Sequence, residues 1–229
     1  SDLRKDLAFT TIVTLADTVN HIINGILDLF DVPGLNDPGF SQSNGVDQFL
    51  GLVSGRIPGL LGGLEITSVV LSLASWMFSY PAQFEDSDEI SKEDRREIIL
   101  WSYRGCTLAL DAILLKVGDF QRMRRKEKFF NSLWAILNAI DMILFSLYLA
   151  AVEEENPAIK RADISNEVFS ALPNFACFVR SIKADPFTKM VLHLGHVGTD
   201  AVAAIVTATT GGILIREANK ALKEAKSAA

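Results

Sequence analysis

The sequence predicts an all-α protein: a multi-helix bundle of six or seven main helices, about four of them long and strongly apolar. Three observations carry this expectation. No stretch alternates apolar and polar residues convincingly over the length of a strand. Apolar residues instead recur at spacings of three and four, the repeat of one helix face. Finally, four runs approach the length of a membrane-spanning helix and hold little charge.

A chain of 229 residues can form one large domain or two small ones. Nothing in its middle has the composition of a flexible linker, so one helical domain over 1–229 is expected. Its parts are an amphipathic N-terminal helix (1–30), a Gly/Pro loop (31–59) and an apolar helical bundle (60–229). The first residue is Ser1 and no basic leader precedes an apolar core, the pattern of a processed or trimmed chain.

In the N-terminal helix, Ile12, Leu15, Val19, Ile22, Ile26 and Leu29 mark an apolar face, and Asp17, His21, Asn24 and Asp28 a polar stripe at the same period. The loop that follows carries Pro33, Pro38 and Pro58 and, as its single basic residue, Arg56. The first apolar run, 60–80, has Glu65 as its only charge and ends in Trp76, Tyr80 and Pro81, with aromatics where a membrane–water boundary would favour them. An acidic segment, 82–97, leads to a weaker run, 98–117, which contains Arg104 and Asp111 seven residues apart on one helix face. A basic patch follows, with Arg122, Arg124, Arg125, Lys126 and Lys128 directly before the third run, 133–152, whose one charge is Asp141. Asn156-Pro157 and Asp185-Pro186 are helix starts, a capping side chain followed by proline at the first helical position. A moderately apolar helix is expected over 167–183, kinked or interrupted near Pro173. The last helix holds the fourth run, 197–215, with Asp200 its only charge, and ends in a solvated Ala- and Lys-rich tail.

Four helices thus carry one central aspartate each: Asp17, Asp111, Asp141 and Asp200. Each can face water or bond a nearby polar side chain. The sharper alternative is that some meet inside a bundle and form an ion- or proton-handling core, the default hypothesis for an intramembrane acid. Glu65, Arg104, Asp111, Asp141 and Asp200 are the candidate buried polar groups.

Other chemistry is sparse. The net charge of −6 argues against a nucleic-acid partner, since such proteins neutralise phosphates with basic surface. Cys106 and Cys177 sit in apolar helical context and read as small buried hydrophobes. His193 and His196, three residues apart, could share a metal on one helix face, but no acid precedes them at a zincin or di-metal spacing, so no metal is expected. No phosphate-cradling loop, nucleophile elbow or paired catalytic carboxylates stand out, so neither catalysis nor a cofactor is expected. The glycine pairs Gly62-Gly63 and Gly211-Gly212 read as points where helices approach closely.

Three accounts fit. In the first, the four apolar runs cross a bilayer, and the protein is a non-enzymatic structural, assembly or transport component whose partners are lipid and other protein subunits. The acidic 82–97 then lies on one side, and the basic patch, an anchor for an anionic surface, on the other, with the C-terminal tail on the patch's side. A central Asp costs about 2.5–3.5 kcal/mol on insertion, which weakens 98–117 as an independent span. The second account is a soluble bundle that inserts into membranes, as pore-forming toxin-type domains do. The third is a soluble helical interaction domain.

Overall fold

The computed structural model describes residues 2–33, 60–79, 92–116, 124–151 and 156–229, with side chains over 2–33, 63–79, 95–110, 129–151 and 156–229. Six helices account for nearly all of them: α1 (Leu3–Phe30), α2 (Leu60–Phe78), α3 (Lys92–Lys116), α4 (Arg124–Ala151), α5 (Pro157–Arg180) and α6 (Pro186–Ala228). There is no strand among the described residues.

Local chemistry sets the helix starts. Asp2 caps α1 by accepting from the N–H groups of Arg4 and Lys5 at 3.1 and 3.4 Å. Asn156 caps α5 through the Ala158 N–H at 3.0 Å, ahead of Pro157. Asp185 caps α6 through the Thr188 N–H at 3.0 Å, ahead of Pro186. Each cap satisfies a backbone donor that the helix leaves open. The Thr188 hydroxyl and N–H hold the Asp185 carboxyl below the usual carboxylate range.

The helices pack in a closed ring. Each lies against its neighbours in the chain, and α1 closes the circle against α6. Residue pairings fix the senses. Phe9 meets Phe78 while Asn24 meets Ser68, so α1 and α2 are antiparallel. Tyr148 bonds Glu97 while Asp141 pairs with Arg104, which does the same for α3 and α4. Asn156 bonds Glu217 while Asn166 bonds Thr207, which does it for α5 and α6.

The seam between α1 and α6 is built from small residues. Ala16 on α1 and Ala203 and Ala204 on α6 are buried. A Cβ built on Gly211 would fall inside the Thr14 side chain, and one on Gly25 would come 3.3 Å from the Cβ of Asp200. At α2–α3, the Trp76 and Trp101 rings stack with centroids 4.1 Å apart, and each indole N–H donates to the other's backbone carbonyl at 2.9 Å. Gly105 admits this stack, since a Cβ there would lie 2.9 Å from Trp76.

Several sequence expectations change. Among the described residues, two helices, α4 over Phe129–Ala151 and α6, rather than four are long and apolar enough to cross a membrane on their own. The apolar part of α2 among residues with described side chains, Gly63–Phe78, is shorter, and α3 carries Lys92, Arg95, Arg96 and Arg104 along its length. α5 begins at Pro157, ten residues before its apolar half, and runs without interruption past the buried Pro173 to Arg180. Because α5 is a full antiparallel element, the C-terminal tail ends at the opposite end of the ring from Arg124, not beside the basic patch. Trp76 is clasped to α3 rather than placed as a boundary aromatic, and Cys106 is exposed while Cys177 is buried. Tyr80, Pro81, Arg122 and most of the Gly/Pro loop lie outside the described residues, as do the side chains of Asp111, Arg124, Arg125, Lys126 and Lys128.

Candidate functional site

The ring is lined with polar side chains and faced with apolar ones. On α1 the stripe Asp17, Asn20, His21, Asn24 and Asp28 points inward, while Ile12, Leu15, Val19, Ile22 and Ile26 are exposed. On α2 the serines 72, 75 and 79 line the interior at helical spacing, with Ser68 buried against α1, while Ile66, Val70, Leu73 and Met77 face outward. α5 turns Asp163, Asn166, Glu167, Ser170 and Asn174 inward, and α4 turns Asn131, Asn138, Asp141 and Tyr148. The contrast is wide: Leu15, Ile66, Leu147 and Ile205 are 61–68% exposed, whereas Asp141 is 6% and Asp200 1% exposed. Inside is a cavity of about 730 Å³ touched by all six helices.

Three polar clusters line this cavity. Between α1 and α2, the Ser68 hydroxyl lies 2.5 Å from Asn20 Oδ1 and 2.9 Å from Asn24 Oδ1, and the Asn20 amide donates to Ser72 at 2.6 Å. At the level of Asp17, Arg104 donates to Glu167 at 2.7 Å, lies 3.9 Å from Asp141 and covers the Phe145 ring at 4.9 Å. Asp17 bonds Ser75 and adds a further carboxylate to the field of Arg104. One guanidinium thereby ties α3 to α4 and α5, replacing water at charges that the ring has enclosed.

The third cluster joins α1, α5 and α6. His196 Nε2 is 3.2 Å from Asp28 Oδ2 and 4.0 Å from Asp200 Oδ2. The other oxygen of Asp28 faces Arg180 at 3.5 Å, and Arg180 also reaches Asp31 at 3.5 Å and His193 Nδ1 at 3.4 Å. Three donor atoms, one each from Asp28, His196 and Asp200, lie within 4.8 Å of one another, a spacing a metal ion could bridge.

The structure distributes the sequence candidates unevenly. Asp141, Asp200, Arg104 and Glu65 all line the one cavity, as does Asp17. Gly211 makes a close interhelical approach, whereas a Cβ on Gly63 or Gly212 would meet nothing within 4 Å; Gly62 lies in the first turn of α2. His193 and His196 do not converge: one faces Arg180 and the other Asp28. Sequence reading overlooked the inward stripes of α2 and α5. Ser68, Ser72, Ser75 and Ser79, and Asp163, Asn166, Glu167, Ser170 and Asn174, follow helical spacing and were detectable by it. It also sought an acid before the histidine pair, whereas Asp200 follows His196 by four residues, one helical turn on.

No family model matches the chain, and no curated protein or solved structure is detectably similar to it.

Proposed function

We propose that the protein is a membrane-embedded helical ring whose interior is a polar chamber for small polar or ionic solutes, making it a transport component rather than an enzyme. The carrying observation is the inversion of its surfaces: α1, α2, α4 and α5 turn their polar stripes to the cavity and expose apolar side chains outward. In water this is unfavourable, because each exposed Val, Leu, Ile, Phe or Met side chain forgoes about 1.5–3 kcal/mol of burial. In lipid it is the favoured arrangement. Turning Asp17, Asp28, Arg104, Asp141, Glu167, Arg180 and Asp200 outward would cost about 2.5–3.5 kcal/mol each on insertion scales. Together that exceeds the whole stability of a typical domain, about 5–15 kcal/mol.

Two further facts support this reading. The shortest helix, α2, has 19 residues and so reaches nearly 30 Å at 1.5 Å per residue, the thickness of the hydrocarbon core. Only 17% of the apolar window of α4 and 33% of that of α6 is buried by protein, whereas the central helix of a soluble bundle is buried all round. α1, α3 and α5 carry too much charge to register as spans alone, but their described charges at mid-helix line the chamber.

Alkaline carbonate extraction of the native protein tests the proposal. Retention in the membrane pellet is expected, and quantitative release into the supernatant would refute it.

A further inference from the structure

We infer that Asp28, His196 and Asp200 form a binding site for a divalent first-row transition-metal ion, of the Zn²⁺ class, in the wall of the cavity where α1 meets α6. The site stands on side chains inside the bundle and holds whatever medium surrounds the ring.

The donor set is one imidazole nitrogen and two carboxylate oxygens. This mixed set suits zinc, manganese, iron or cobalt, whereas Mg²⁺ and Ca²⁺ favour all-oxygen shells. His196 and Asp200 are four residues apart on α6 and share a face; Asp28 arrives from α1, which Gly25 brings to within van der Waals contact of Asp200. The three donor atoms lie within 4.8 Å of one another. Tetrahedral ligands about 2.0–2.2 Å from a common ion lie roughly 3.3–3.6 Å apart, so the widest pair must close by about 1–1.5 Å to complete the sphere. The cavity leaves the remaining positions open to a solute or water.

A second observation, independent of the donor spacing, points to a ligand. Asp200 is 1% exposed, and its Oδ2, the oxygen facing His196, has no hydrogen-bond partner among the described residues. Such a buried carboxylate oxygen costs far more than it returns unless something positive occupies the space beside it. Arg180 engages Asp28 through Oδ1, and the other carboxylate oxygen, Oδ2, is turned toward His196. The competing arrangement is a proton shared by Asp28 and Asp200.

The test uses the full chain in detergent, freed of any affinity tag and stripped with a chelator. Zn²⁺ is titrated in competition with a chelating dye, and Co²⁺ is followed by its visible ligand-field bands. One Zn²⁺ per chain is expected, with Co²⁺ bands of a nitrogen–oxygen site and no displacement by excess Mg²⁺. His196→Gln and Asp200→Asn, checked for helix content by circular dichroism, should each weaken Zn²⁺ binding at least about tenfold, the lower end of what even supporting residues cost. His193→Gln should bind as the parent does. Should Asp200→Asn fail to fold, His196→Gln carries the test, since it keeps a neutral polar side chain in place. The inference is overturned if the folded parent takes up no Zn²⁺, which would leave the shared proton as the answer. It is equally overturned if the folded variants bind undiminished, or if His193→Gln loses binding as His196→Gln does.

Discussion

The two sides of the ring are held together differently. Where α6 lies between α1 and α5, contact is extensive and small residues let backbones approach: Gly211 against Thr14, Gly25 against Asp200, buried Ala203 and Ala204. Where α2 meets α3, contact is the least of any neighbouring pair, and it centres on one tryptophan clasp. The adjoining α3–α4 joint relies on Arg104 and on the Tyr148–Glu97 bond of 2.5 Å. Close backbone packing and polar bonds are two means of helix association that do not depend on apolar burial. This molecule uses the first for one wall and the second for the other. A packed wall fails through a single misplaced atom; a bonded wall can separate and re-form.

The largest effect should come from Gly211→Leu. The new side chain collides with Thr14 from its Cβ onward, and overpacking of this kind costs about 3 kcal/mol or somewhat more. Loss of the monodisperse peak in size-exclusion chromatography and a collapsed melting temperature are expected. Gly212→Leu, one residue away and facing open space, should stay within about 0.5 kcal/mol of the parent. Equal damage from both would mean that the seam is not what distinguishes this wall.

Next comes Arg104→Met. It leaves Glu167 and Asp141 enclosed without their cation. Breaking a fully buried pair costs about 3–5 kcal/mol, and since Arg104 is one-third exposed to the cavity, roughly 1–3 kcal/mol is expected here. Neutralising the partners as well, in Arg104→Met with Glu167→Gln and Asp141→Asn, should recover part of the loss in thermal melts. A triple variant less stable than Arg104→Met would contradict the account of this joint.

Trp76→Phe keeps an aromatic ring over Trp101 but removes the N–H that donates to its carbonyl. A loss of about 1 kcal/mol is expected, confined to the bonded wall. Denaturant melts of this variant beside Gly211→Leu would rank the two walls directly.

The smallest effect is a pH dependence at the start of α6. The folded Asp185 carboxyl titrates below its ordinary range because Thr188 bonds its charged form. Its contribution to stability is therefore present above the ordinary carboxylate range and is lost as pH falls through the lowered value. Asp185→Asn should flatten this part of the pH–stability curve relative to the parent. Superimposable slopes would show that the cap contributes nothing measurable.

Much of this was legible in the sequence. Helical periodicity places all six helices, and the dipeptides Asn156-Pro157 and Asp185-Pro186 mark two starts to the residue. What periodicity does not convey is which way a face points. The stripe on α1 was evident, yet only the ring tells whether Asp17 and Asp28 meet water or one another. A charge count likewise dismisses α5 as half a helix, because its first half carries Lys160, Arg161, Asp163 and Glu167, two of which line the chamber. The Asp28–His196–Asp200 cluster joins residues 172 positions apart at its widest, from 28 to 200, and closure of α1 on α6 is a tertiary event that no local spacing records.

The tryptophan clasp gives the loosest joint an optical signature. The chain has three tryptophans, and two of them form the stacked pair, with Trp134 at the cavity wall. Stacked indoles couple their electronic transitions, producing a paired near-ultraviolet dichroic band and altered emission that vanish when the rings part. The α2–α3 boundary can therefore be watched opening and closing in real time, without attached dyes, by light absorbed in the protein itself.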